Sequence, residues 1–255
     1  MKSRIAIGVA AVTLLAQTGL VAAAEIKVLC TEALRPVFDD LARDFERTSG
    51  DHVAVSYATA GVLANRIRGG ERADLIVLTR SLFAPLAKQA RIAGDGSTRL
   101  ARSPLAFAVR AGAPKPDIST VEAVRRTLLA AKSITYSDPT RGGGIGVQAA
   151  RVIERLGLTD ELKSKTIVTP AGEFRDVLAK GGAELAVVLP IVIVNNREID
   201  LVGVLPGELQ VGADFDFMVG VDAQAAEPAG ATALIRHLLS PAAAAALKAK
   251  GLEPG

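Results

Sequence analysis

Thiol chemistry is almost absent from this 255-residue sequence: Cys30 stands alone, which excludes an intramolecular disulfide framework and any metal site built on several cysteines. Histidine is nearly as scarce, and His52 and His237 lie far apart, so a histidine-rich metal centre is excluded too. There is no tryptophan, aromatics make up 4% of the chain, and no dense basic run occurs. Together these argue against a stacking platform for single-stranded nucleic acid. No G-x-S-x-G nucleophile elbow, no Gly-Lys-Ser/Thr phosphate loop and no internal repeat is present. The first apolar stretch also falls short of the roughly 20 residues that a membrane-spanning helix needs.

What is there begins with a leader. Met1-Lys2-Ser3-Arg4 is cationic, residues 5–15 are apolar, and Val21-Ala22-Ala23-Ala24 ends in an A-x-A site before Glu25. That is the pattern of a secretory signal peptide, residues 1–24, and it predicts a periplasmic protein. Cleavage removes two of the 30 cations and none of the 27 acids, taking the formal charge from +3 to +1. The basic balance therefore carries no argument for nucleic acid or an anionic membrane as partner. Leu29 before Cys30, with Lys27 nearby, argues against lipid attachment. Cys30 is expected as a buried thiol at a strand end, and a single thiol suits an oxidising compartment.

From residue 25 the chain alternates strand-like and amphipathic helical runs, the pattern of an α/β fold. Strands are expected at 26–30, 52–57, 74–79, 105–110, 133–138, 167–168, 185–189, 201–205 and 214–221. Helices are expected at 34–45, 61–68, 81–90, 121–132, from the glycine loop to about 156, at 173–180, and as two tail helices split at Ser240-Pro241. Ser119-x-x-Glu122 reads as a capping box. Extended crossings near 101–110 and 203–220 suggest two lobes, each an open α/β sheet, joined by a two-strand hinge. The boundaries are 25–104 and 205–255 for the first lobe and 105–204 for the second. Ligands of such sheets lie at the carboxyl ends of the strands, where helix N-termini converge.

Gly142-Gly143-Gly144-Ile145-Gly146 is the most conspicuous loop. It fits the relaxed G-x-G-x-x-G/A pattern through Ala149, but no acid stands at a strand end about twenty residues on. What remains is anion binding by bare backbone N–H groups, or a tight strand-to-helix turn. Carboxylates such as Asp39-Asp40 and Asp44-Glu46, and also His237, read as solvated helix faces. Only Glu32 and Asp138 stand near loop tips, where an acid–base role would need them.

Several phrases in order resemble a known family: Ala33-Leu34, Asp44-Phe45-Glu46, Ser49-Gly50, Tyr57-Ala58-Thr59-Ala60-Gly61-Val62-Leu63, Ala73-Asp74, Ser137-Asp138-Pro139, Phe174-Arg175, Gly182-Ala183-Glu184 and Leu238-Leu239-Ser240-Pro241. The mature chain is similar to periplasmic solute-binding proteins of the type II fold, in particular the molybdate-binding proteins of ABC importers, as a divergent branch. The resemblance implies two lobes closing on a small anion in a cleft, delivery to an inner-membrane ABC permease, a monomer, no cofactor, no metal and no enzymatic activity. The family's two serine positions fall at Ala33, with Thr31 and Glu32 beside it, and at Ala60, flanked by Thr59 and Gly61. Its amide-donating loop falls at Gly144 and Ile145, a later helix start at Phe174, and its tyrosine at Leu189. With those hydroxyls gone, the ligand is either a molybdate-like oxyanion or a small organic carboxylate. Arg80 or Arg141 would clamp a carboxylate, unless each is a solvated surface residue. A sensor module for a membrane receptor, or a secreted enzyme using the same cleft, is the alternative.

Overall fold

The computed structural model describes residues 23–94, 97–141, 144–170, 172–210 and 215–255. Residues 1–22, which hold most of the expected leader, Gly142 and Gly143, and part of the second crossing, 211–214, lie outside the described residues.

The first half of the chain builds β1 (Glu25–Thr31), α1 (Arg35–Ser49), β2 (His52–Ala58), α2 (Ala60–Arg68), β3 (Leu75–Thr79), α3 (Arg80–Lys88), β4 (Thr98–Arg102) and β5 (Ala106–Arg110). Then come α4 (Val121–Ala130), β6 (Ile134–Ser137), α5 (Gly144–Arg155), α6 (Thr159–Lys163), β7 (Thr166–Thr169), α7 (Phe174–Ala179), β8 (Leu185–Val188) and α8 (Pro190–Ile193). The remainder is β9 (Ile199–Val204), β10 (Asp216–Val221), α9 (Pro228–Leu238), α10 (Pro241–Ala249) and β11 (Glu253–Pro254).

Local chemistry explains these boundaries. In α1 the buried positions Val37, Phe38, Leu41, Ala42 and Phe45 form one face, and Gly50 ends the helix at φ 83°, returning its N–H to Glu46 O at 2.9 Å. β3 is buried at all five positions, as a central strand covered on both faces must be. Ser240 caps α10 by accepting from the Ala243 N–H at 3.2 Å, with Pro241 opening the helix. The expected capping box shifts by one residue. Thr120, not Ser119, caps α4, accepting from Ala123 N at 3.1 Å, while Ser119 N–H is taken by Asp117. Asp160 and Glu161 lie in the first turn of the short helix α6. His237 is not on a solvated face: it packs edge-on against Phe45, with ring centroids 5.6 Å apart, and approaches Asp44 at 3.4 Å.

Two sheets result. The first runs β11-β4-β10-β3-β1-β2 and the second β7-β6-β8-β5-β9. In both, three parallel strands (β2-β1-β3 and β7-β6-β8) are followed by a strand antiparallel to them, β10 or β5. β1 and β6 therefore each sit at the point where the strand order reverses, the position at which open α/β sheets hold ligands. The chain passes from the first sheet to the second between β4 and β5 and returns between β9 and β10. Gln210 ties these crossings together. Its side-chain oxygen accepts from Leu105 N at 2.8 Å, and its amide nitrogen donates to Leu105 O at 3.0 Å and to Leu205 O at 2.8 Å. Apolar clusters cover both faces of each sheet, and the largest runs from one sheet into the other.

Candidate functional site

A cavity of about 340 Å³ lies between the two sheets, at the carboxyl ends of their parallel strands. Thr31, Thr59 and Thr79 line it from the ends of β1, β2 and β3; Ser137 and Leu189 do so from the ends of β6 and β8. The starts of α1, α2 and α5 contribute Arg35, Ala60 and Gly144. Neither α2 nor α5 carries an acidic residue in its first turn, so their positive ends favour an anion.

Two hydroxyls are oriented by the backbone. Ser137 Oγ accepts from Gly146 N–H at 3.1 Å, and Thr59 Oγ1 accepts from Val62 N–H at 3.4 Å. Each thereby keeps its own proton to donate elsewhere. The approach of α5 to β6 is close: a Cβ at Gly146 would stand 1.7 Å from Ser137 O.

Two guanidiniums face the cavity from opposite lobes. Arg35 opens α1 in the first lobe, and its guanidinium carbon lies 4.2 Å from the centroid of the Tyr57 ring. Tyr57 is held in turn by its hydroxyl, which donates to Asp39 at 2.6 Å; burial is the main cause that pushes the phenol pKa far up, so it stays a donor. Arg175 belongs to α7 in the second lobe. Its Nε donates to Gly172 O and its Nη1 to Val192 O, both at 3.2 Å, which fixes the guanidinium; among the described residues Nη2 has no hydrogen-bond partner. Among the described residues neither arginine has a carboxylate within ion-pair distance. Tyr57→Leu is expected to weaken anion binding by about 0.5–1 kcal/mol through loss of the stack, while Tyr57→Phe keeps most of it. Calorimetric titration of both variants checks this.

Of the residues expected from the sequence, Thr31, Ala33, Thr59, Ala60, Gly144, Ile145 and Phe174 are brought together in the lining. Three are not. Arg80 turns to the buried Asp216, donating through Nη2 at 2.8 Å and Nε at 3.1 Å, so its guanidinium is already paired. Arg141 ends an exposed turn at 139–141, and Gly61 is one residue beyond the lining stretch of α2. Asp138 is engaged by Thr140, whose hydroxyl and backbone N–H hold its carboxyl pKa low. Arg35, Arg175, Thr79, Ser137, Phe215 and Phe217 were not anticipated.

A larger hollow, about 710 Å³, lies on the second lobe against the C-terminal half of α4. Two of its charges are met locally, Arg126 by Asp117 at 4.0 Å and Glu184 by Lys132 at 3.6 Å, while Arg110 also lines it. It also faces the negative end of its helix, which makes it a poor anion site.

Comparison with known proteins places this geometry. Residues 26–253 match the family model described as bacterial extracellular solute-binding protein. A protein of Pseudomonas sp named aconitate isomerase is 31% identical over 250 residues, spanning 94% of this chain and 93% of its own length. The molybdate-binding protein ModA of Escherichia coli is 26% identical over 187 residues, spanning 71% of this chain and 72% of its own. The periplasmic molybdate-binding protein of Azotobacter vinelandii superposes with a TM-score of 0.75 at 20% identity, covering 90% of this chain and 99% of that one. The two-lobe α/β architecture expected from the resemblance is thus the fold. The expectation of no enzymatic activity is overturned: a relative aligned almost end to end bears the name of an enzyme.

Proposed function

The chain belongs to the bacterial extracellular solute-binding protein family, and from that membership we propose that it captures a small organic polycarboxylate, of the aconitate class, between its lobes. The observation that carries this reading is the pair of guanidiniums, Arg35 and Arg175, on opposite walls of one cavity. A guanidinium donates charge-assisted hydrogen bonds to a carboxylate, and two of them on opposing walls favour a ligand with two or more carboxylates. Size points the same way. At about 30 Å³ per water the cavity holds on the order of ten waters, the bulk of a small organic acid and more than a tetrahedral oxyanion fills. Ala33, Ala60 and Leu189 supply no hydroxyl at the positions where the molybdate-binding pattern has them.

Lobe 1 comprises 25–104 with 205–255 and lobe 2 comprises 105–204; sheet membership of the strands supports these boundaries. A ligand held by both lobes stabilises the closed arrangement over the open one, with bending at the two crossings. In the importer version of this reading the leader is cleaved after about Ala24, and the loaded monomer serves an ABC permease in the periplasm. A second version, turnover of the captured acid, is favoured by the relative named aconitate isomerase.

Thermal-shift and calorimetric titration with molybdate, sulfate, acetate, succinate and trans-aconitate tests the ligand class. trans-Aconitate at one hundred times its Kd is expected to stabilise the fold by about 2.7 kcal/mol. Stabilisation by molybdate with none by any carboxylate refutes the reading.

A further inference from the structure

Glu32 is the one carboxylate among the described residues lining the cavity between the lobes. It lies in the turn 32–34 that leads into α1, three residues before Arg35. Among the described residues its carboxylate has no hydrogen bond and no ion pair, although the cavity contains two guanidiniums. An unpaired carboxylate in an anion site lowers affinity by like-charge repulsion, so binding alone gives no reason for it. An acceptor for a proton does.

Resting on the polycarboxylate reading above, we propose that Glu32 is the base of an allylic proton shift, and that the substrates are unsaturated polycarboxylates with a methylene next to the double bond. The Glu32 carboxylate takes one proton from that methylene carbon. The C–H electron pair becomes the new C=C bond to the central carbon, and the old π pair moves to the former vinylic carbon. That carbon then takes the proton back from the protonated Glu32. The double bond has moved by one carbon and its geometry is reset. No atom is gained or lost, and no oxidant or reductant is required. The charge that builds up between the two steps spreads onto the substrate carboxylates, where Arg35 and Arg175 provide fixed positive charge. Asp138 does not take this part, because it is not among the residues that line the cavity.

The test uses trans-aconitate with the wild-type protein, Glu32→Gln and Glu32→Asp, following cis-aconitate by proton NMR and binding by calorimetry. Glu32→Gln is expected to bind as tightly as wild type or more tightly, since the repelling charge is gone. Its rate of isomer formation should fall by about 100-fold or more, while Glu32→Asp keeps part of it. The exposed position of Glu32 leaves folding unaffected, which unchanged melting checks. A Glu32→Gln rate within tenfold of wild type overturns the assignment. So does a wild-type protein that binds trans-aconitate and forms no cis isomer, in which case the binding reading stands without it. If wild type binds no carboxylate in the calorimeter, both fall.

Discussion

Arg175→Ala should weaken trans-aconitate binding roughly 10- to 100-fold, the loss of a charge-assisted hydrogen-bond pair at about 1.5–3 kcal/mol. Arg35→Ala should do the same from the other lobe. Both variants are expected to change acetate binding less, because a single carboxylate engages only one fork at a time. Arg175→Lys separates charge from geometry. The ammonium keeps the positive charge, but it cannot reach Gly172 O and Val192 O while presenting a planar edge to the ligand. Its affinity should therefore fall between wild type and Arg175→Ala. Titration calorimetry of the three variants reads the effect directly. Loss of molybdate binding with unchanged trans-aconitate binding contradicts the assignment of these arginines.

The largest stability effect is expected from the smallest side-chain change. In Gly146→Ala the new methyl would lie 1.7 Å from Ser137 O, 2.8 Å from Ser137 C and 3.0 Å from Pro139 N. All three atoms are backbone, so no side chain can swing aside, and α5 must back away from the end of β6. A cost of about 3 kcal/mol or more is expected, the upper part of the range for overpacked cores. For a domain of this size that lowers Tm by roughly 6–12 °C. The displacement also breaks the Gly146 N–H to Ser137 Oγ bond, so ligand affinity should fall together with stability. Gly144→Ala is the control: the nearest atom to its Cβ is Phe215 Cε1 at 4.0 Å, an ordinary contact. Thermal melts of the two variants side by side test the argument, and equal Tm values would refute it.

Most of the architecture is legible in the sequence because its signals are local. Gly50 after an amphipathic run, the apolar LIVLT segment of β3, and Ser240-Pro241 between the tail helices each announce themselves within a few residues. The short strands β4 and β11 do not. Thr98–Arg102 carries two arginines and a threonine, and it becomes a strand only because β10 and β11 pair with it from distant parts of the chain. The site divides in the same way. Loop positions at strand ends are readable as cavity lining, whereas the state of an arginine is not. Arg80 looks available until Asp216, 136 residues later, is folded against it. Arg175 looks like a surface residue of a short helix until Val192 O fixes its direction. Which guanidinium is occupied and which is free is decided by long-range partners, and spacing along the chain contains no record of them.

The three hydrogen bonds of Gln210 have a mechanical consequence. Two separate strips joining two bodies can each twist, and the bodies can then shear as well as rotate. One amide bonded to Leu105 on the outgoing strip and to Leu205 on the returning strip makes them a single leaf. A single leaf bends readily about one axis and resists the other motions. In the proposed capture of a polycarboxylate, bending about this one leaf would bring Arg35 and Arg175 to the same separation at each closure, a caliper whose jaws have only one way to travel.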